Sequence, residues 1–585
     1  MTTEWSLDVL YPSYESPEFK TDYQQLECLI KEYNEFVSKL SHDQEKETLK
    51  QILQYEEKLA LLTSKLSDYL NLSNSTNTTD AKLSSLMGQL ESLTSQLAKS
   101  SAKVTRFLSE IPNFKELIMS EDEFKEYEFY LSKRYEQAKH TLSDEVEEVI
   151  AKLNQSAASA WSMLQQYVTS TVTCDYDGKE LTLSDVRNLA SDKDAKVRKK
   201  AYEAEIKCYE KINDSVSFAL NNIKSQVNTI SELRGYHSPL AMTLIESDMQ
   251  PETLDALLTS IKMYLPKFQE YLKFKGELLG SKDGIAWYDL FAPIGKSHMK
   301  FSIKEAKNLL LDLFGDFSDD LKDMVSQAFD ESWIDFYPRK GKVGGAFCQN
   351  LPYLKQSRVL TNFDGSLSSV VTLAHELGHA YHGLHIQDHR PLNTDYSMQV
   401  AETASTFNEN LVMNAIIQKA SDKEKITLIE SQLQDLTQII VDIYSRFLFE
   451  KMVFERRKTE FLFSDDLCKI MLAAQKEAFG DSVIESTLHP YMWICKPHYY
   501  DADYNYYNYP YAFGGLFAKG LYEQYKKEGK DFVPKYQALL HATTVKTTED
   551  IAKMADIDLT KTDFWKESLQ AISDMIDEFM KLCKK

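Results

Sequence analysis

The sequence lacks the marks of a membrane, secreted or nucleic-acid-binding protein. None of its 585 residues falls in an apolar run of about eighteen, so no membrane span is expected. The opening MTTEWSLDVLYP has neither a basic segment nor an apolar core, so no signal peptide is expected. Cationic excess is missing. Lys and Arg number 67 against 89 Asp and Glu, a net charge of −22, which repels phosphate backbones and anionic bilayers. The seven cysteines are odd in number and scattered, with no C-x-x-C. That pattern fits free thiols in a reducing, cytoplasmic setting and not a disulfide framework. No repeat of fixed period and no sustained heptad is present, which argues against solenoid and coiled-coil folds.

What remains is a long globular chain, 43% hydrophobic and 27% charged. Its length suits two to four domains or one large two-lobed unit. Helical periodicity dominates. Leu26, Ile30, Tyr33 and Val37, then Ile52, Tyr55, Leu59 and Leu62, recur at helical steps. The spacing predicts long helices up to about residue 110, with a polar break over 71–79. Residues 171–181 read as a hairpin around Asp177-Gly178. Short strands are expected at 287–291, 334–337 and 344–347. N-caps are expected at Asp144 and Ser184. The chain reads as mainly α with one small sheet, divided into an N-terminal helical lobe (1–115), a connecting region (116–200) and a long C-terminal domain (201–585).

The chemistry centres on T-L-A-H-E-L-G-H-A-Y-H, residues 372–382. His375, Glu376 and His379 form H-E-x-x-H. On a helix, positions i and i+4 share a face, so two imidazoles can hold a zinc ion while the Glu between them acts as general base toward a zinc-activated water. Asp364-Gly365-Ser366 offers N-caps, and no proline interrupts 367–384. Gly378 weakens that helix by about 1 kcal/mol relative to Ala, which suggests another element passing close by.

A catalytic zinc takes three protein ligands. Asp388, Asp395, Glu402 and Glu409 are the downstream candidates. Glu402 opens a fresh helix and is taken as the third ligand. Glu409, seven residues on and on the same face, is taken as the group that orients a ligand imidazole. His382 is taken as a polar neighbour of the ligand face and not a ligand, and His385 and His389 as surface or helix-end residues. One zinc ion per chain is expected.

H-E-L-G-H followed by A-E-T-A-S-T-F-N-E resembles the M3 family of zinc metallopeptidases, in particular the oligoendopeptidase F group. K-V-G-G-A-F-C at 342–348, N-F-D-G at 362–365, W-S-L-D-V-L-Y-P-S near the start, A-S-A-W-S-M-L and D-G-K-E-L-T-L-S-D-V-R-N-L extend the likeness along the chain. The resemblance implies a zincin-type, two-lobed helical fold with the small sheet beside the active-site helix and a deep internal channel. It also implies a cytoplasmic endopeptidase for short unfolded oligopeptides, with no nucleic-acid or membrane partner. Gly344, Gly345 and Ala346 would form a substrate-binding strand. His498 and Tyr511, from the tyrosine-rich run 496–511, would stabilise the oxyanion, and Tyr504 and Tyr507 would touch substrate. Some relatives carry Y-x-x-x-Y-x-x-Y after the His, whereas here Asn508 takes the middle place. A dipeptidyl- or carboxypeptidase of related type, or a peptide-binding protein without activity, are the other readings.

Overall fold

The computed structural model describes residues 2–295 and 299–585. Helix makes up 71% of the residues and strand 4%, so the mainly-α expectation holds. The cause is visible at the first helix, α1 (Pro17–Ser38). Ser16 caps it by accepting from the Phe19 N–H, Pro17 sits at its first position, and Phe19, Leu26, Leu29, Ile30, Tyr33 and Val37 form its buried stripe. Next come α2 (Glu45–Thr76), α3 (Ala81–Thr94) and α4 (Ala98–Glu110). The polar tract breaks the chain later than its composition suggests. Helix α2 continues to Thr76, and Asp80 caps α3 by accepting from the N–H groups of Lys82 and Leu83.

The chain divides into two compact units, each assembled from separate stretches. Unit 1 comprises 1–141, 298–415 and 524–556, and unit 2 comprises 142–297, 416–523 and 557–585. The compact units therefore interleave along the sequence, whereas the division at 115 and 200 follows chain order.

In unit 1, helices α1 to α4 share a core into which Leu351 inserts, with Phe347 and Tyr353 packed against it. These residues belong to the segment around a three-stranded sheet of β1 (Ile334–Asp335), β2 (Phe347–Leu351) and β3 (Gln356–Leu360). The order is β1-β3-β2, parallel between β1 and β3 and antiparallel between β3 and β2. Strands β2 and β3 both pack on α5 (Leu367–Ile386), the H-E-x-x-H helix, which puts the small sheet beside it.

In unit 2, Pro251–Leu278 packs along Thr562–Cys583, and the helix Asp422–Thr437 packs on the latter. The Asp177-Gly178 hairpin forms as expected, pairing Thr173–Tyr176 with Lys179–Thr182.

Four local expectations need correction. Residues 287–289 form a 3₁₀ turn and not a strand. Gly344 and Gly345 form a bend, and Ala346 leads from it into β2, which begins at Phe347. Gly345 has φ +78°, a left-handed conformation that glycine adopts freely and that interrupts extended pairing. The helix at Asp144 is capped by Ser143, and the one at Leu183 by Thr182, which forms a capping box with Asp185. In both cases the capping hydroxyl sits earlier than the residue chosen from the sequence, by one and two positions.

Candidate metal centre

Helix α5 starts firmly. Ser366 accepts from the Ser369 N–H, and the Asp364 carboxylate accepts from the Ser366 N–H (2.8 Å) and the Ser369 hydroxyl (2.6 Å). Two turns on, His375, Glu376 and His379 each offer one ligand atom, all within 4.8 Å of one another. The imidazoles are half-buried, while Glu376 is buried.

Gly378 has the packing reason anticipated for it. A Cβ there would stand 2.5 Å from the Ala404 carbonyl oxygen and 2.5 Å from the Ser405 Cα. The close approach belongs to α6 (Thr403–Lys419). Asn408 ties the two helices together by donating to the Ala374 carbonyl at 3.2 Å. Glu402 sits in the break between a short turn, Met398–Ala401, and α6, at φ −90° and ψ 7°.

From that break its Oε2 reaches within 3.2 Å of His375 Nε2 and 3.4 Å of His379 Nε2. Ser405 donates to the same oxygen at 2.8 Å. Glu409 Oε1 lies 2.5 Å from His375 Nδ1, so the two ring nitrogens face different carboxylates. Five of the expected residues thus come together, all in unit 1.

The charges follow from this arrangement. Burial raises the Glu402 pKa, but the bonds to His375 and His379 outweigh it and hold the carboxylate well below its usual range. For His375, burial lowers the pKa while Glu402 and Glu409 push it up, for a net value of about 10. Burial pushes Glu376 up, against the opposing influence of the two imidazoles.

Asp388 and the neighbouring imidazoles are engaged elsewhere. Asp388 pairs with Lys355. His382 Nε2 lies 2.7 Å from the Thr543 hydroxyl, its ring stacks on Tyr396 at 4.2 Å, and burial drives its pKa down to about 3. His389 bonds to Thr544 at 2.6 Å.

Sequence reasoning missed the supports of the site: Ser405, Asn408, Tyr396 and Asn350, which donates to the His379 carbonyl at 3.2 Å. Ser405 and Asn408 were within sight, three and six residues after Glu402. Asn350 and Tyr396 gave no local signal.

Gly344 and Gly345 lie exposed, and no atom stands within 4 Å of a Cβ built on either. Their bend is anchored from both ends. Asn362 donates to the carbonyls of Val343 (3.0 Å) and Gly345 (2.8 Å). Lys342, whose side chain is buried, donates to Asp335 at 2.6 Å and to the Thr361 carbonyl at 2.6 Å.

The remaining expected residues lie in unit 2. The His498 ring is 5.3 Å from Tyr507 and 6.0 Å from Tyr511, and Tyr504 stands 6.0 Å from Tyr507. Tyr504 is 62% exposed and Tyr511 39%, whereas Tyr499, Tyr500, Tyr506 and Tyr509 are buried wall residues. Burial lowers the His498 pKa, helped by nearby Arg446 and Lys496.

Asn508 is buried, donates to Glu450 at 2.8 Å and accepts from the Tyr509 N–H at 2.7 Å. Glu450 in turn pairs with Lys224 at 2.7 Å, each 1% exposed, and accepts from the N–H of Tyr506, which has φ 55°. The residue that departs from the relatives' tyrosine pattern is thus a strut of the loop.

Comparison with known proteins places the chain as a whole. The peptidase family M3 model matches residues 188–571, and a second model, oligopeptidase F, matches 112–173. Oligopeptidase PepF of Bacillus subtilis is 26% identical over 99% of this chain and 87% of its own. The structure of a protein from Chlamydophila abortus assigned as a peptidase superposes with TM-score 0.85 at 20% identity, covering 99% of this chain and 98% of that one. Oligoendopeptidase-F from Enterococcus faecium gives TM-score 0.72 at 19% identity, covering 97% and 99%. The chain belongs to peptidase family M3 and is a peptidase of the metalloendopeptidase type.

Proposed function

We propose that the chain is a zinc-dependent endopeptidase for short unfolded oligopeptides, with His375, His379 and Glu402 as metal ligands and Glu376 as general base. One observation carries the reading. A single carboxylate oxygen, delivered from a separate helix, approaches the Nε2 atoms of both H-E-x-x-H imidazoles. Two imidazole nitrogens and one carboxylate oxygen are a donor set that suits catalytic zinc. Glu409 fits the set as well, because a carboxylate on Nδ1 fixes the tautomer that presents Nε2 to a metal. Zinc, when bound, supplies Lewis acidity toward the scissile carbonyl and acidifies water.

The protein's own residues do the rest. Glu376 accepts a proton from the attacking water and delivers it to the amide nitrogen as the C–N bond breaks. The water oxygen remains in the new carboxylate, and the other product leaves as an amine. Burial raises the Glu376 pKa toward the working pH and so favours both halves of that transfer.

Among the described residues β2 pairs on one edge only, and the other edge can add an extended peptide backbone. Gly344 and Gly345, bent and uncrowded, and Ala346 keep the approach to that edge open. His498 and Tyr511 donate to the developing oxyanion, and Tyr504 and Tyr507 touch substrate. The M3 and oligopeptidase F matches support a catalytic domain over 201–585 and a connecting region over 116–200. Seven free cysteines fit a cytoplasmic location.

Glu376→Gln tests the reading. It should keep zinc and lose turnover of an oligopeptide by about 10²- to 10⁴-fold. Hydrolysis by that variant at the wild-type rate would overturn the assignment.

A further inference from the structure

Unit 2 contains a cavity of about 200 Å³ that the proposed chemistry does not use. Its lining combines aromatic residues, among them Trp287, Tyr288 and Phe291, with polar and charged ones. Most of the charged groups facing it are already satisfied. Arg198 donates to Asp289 at 2.7 Å and to the Asp192 carbonyl at 2.7 Å. Glu205 accepts from the Tyr209 hydroxyl at 3.0 Å and lies 3.5 Å from both Arg187 and His489. Asp442 pairs with Arg446.

Lys496 is the exception. Lys496 lines the cavity, and its ammonium has no hydrogen-bond or ion-pair partner among the described residues. Gln434 adds a second donor. Lys275 donates to its Oε1 at 2.9 Å, and because an ammonium can only donate, the amide must turn its NH₂ the other way. Gln438 and Asp442 enter the wall from a π-helical turn, Gln438–Asp442, a local widening that recurs at functional sites.

We propose that this cavity binds the C-terminal carboxylate of a peptide, with Lys496 as its counter-ion and Gln434 as a second donor. The inference rests on the peptidase reading for the identity of the peptide. A carboxylate suits the site better than a phosphate. One free ammonium balances one negative charge, while Asp442 and Glu205 in the walls would repel a dianion. The volume, below the roughly 300–1,000 Å³ of drug-sized pockets, suits one residue, and the aromatic lining suits its side chain. Burial lowers the Lys496 pKa, with Arg446 and Arg187 adding to the effect, so an incoming anion relieves a desolvated charge.

The test uses the zinc-loaded full chain and two oligopeptides that differ only in a free or an amidated C-terminus. Wild type should prefer the free acid in kcat/KM by about tenfold or more. Lys496→Met should bring that ratio close to one. So should Gln434→Glu, which keeps the acceptor for Lys275 and sets a carboxylate against the ligand. A ratio is insensitive to general damage, and the second variant serves if the first fails to fold. In parallel, 3-phenylpropanoate should raise the melting temperature of wild type and not of Lys496→Met, a readout independent of peptide turnover. No acid preference together with a melting shift would overturn the peptide assignment in favour of a free small acid. Absence of both would overturn the site. If no peptide were cleaved at all, the proposed function would fail while the melting shift still reported on the cavity.

Discussion

The H-E-x-x-H helices of unit 1 and the tyrosine segment of unit 2 hold the side chains proposed for the chemistry by opposite means. In α5 and α6 the helix itself sets the positions. His375 and His379 share a face because they are four residues apart, and Glu409 lies two turns beyond the Glu402 break. The only long-range demand is that the two helices touch, which Gly378 permits. Residues 496–511 have no such arithmetic. Tyr506 holds a left-handed φ of 55°, uncommon for a bulky residue and costing about 1–3 kcal/mol. The Glu450 carboxylate restrains the segment, accepting from Tyr506 N–H at 3.2 Å and from Asn508 at 2.8 Å while paired to Lys224. A helix positions by spacing and tolerates changes off its contact face, whereas a loop positioned by one buried ion pair depends on both partners.

The contrast can be broken at its strongest point. Lys224→Met leaves Glu450 charged, buried and unpaired, which costs about 3–5 kcal/mol of stability in denaturant unfolding. The folded fraction should keep its zinc and lose peptide turnover. A variant as stable and as active as wild type would show that the ion pair does not hold the loop.

Gly378→Ala probes the opposite case, where helix contact decides. The added methyl meets backbone on α6 and forces the helices apart, at a cost of about 1–3 kcal/mol. Because Glu402 rides at the start of α6, zinc competition should show weaker binding along with the lower melting temperature. Unchanged zinc affinity would mean that the Glu402 position is independent of the crossing.

The difference between the regions also explains what the sequence disclosed. His375, Glu376 and His379 were legible because one helix carries them, and Glu402 and Glu409 because a second helix follows within thirty residues. Gly378 pointed to a close neighbour without saying which. The bend at Gly344 and Gly345 was misread as strand, since only the φ of Gly345 separates the two. In the tyrosine run, composition could not separate wall residues such as Tyr499 and Tyr500 from the open Tyr504 and Tyr511. The segment is held by Glu450, whose bonds to Tyr506 and Asn508 each span more than fifty residues. Asn508 looked like a defect in a pattern, and its bond to Glu450 makes it part of the support.

A smaller effect sharpens the account of unit 1. Glu409→Gln keeps an acceptor for the His375 N–H but loses the charge, and should weaken zinc binding or turnover by about 10- to 100-fold. A change under twofold would remove Glu409 from the centre.

The most direct test of the central claim is zinc stoichiometry by native mass spectrometry, measured on wild type, Glu376→Gln and Glu402→Ala. The account predicts one zinc per chain in the first two and loss of bound zinc in the third, with peptide hydrolysis only in wild type. Full zinc occupancy in Glu402→Ala, or undiminished hydrolysis by chelated, zinc-free wild type, would contradict it.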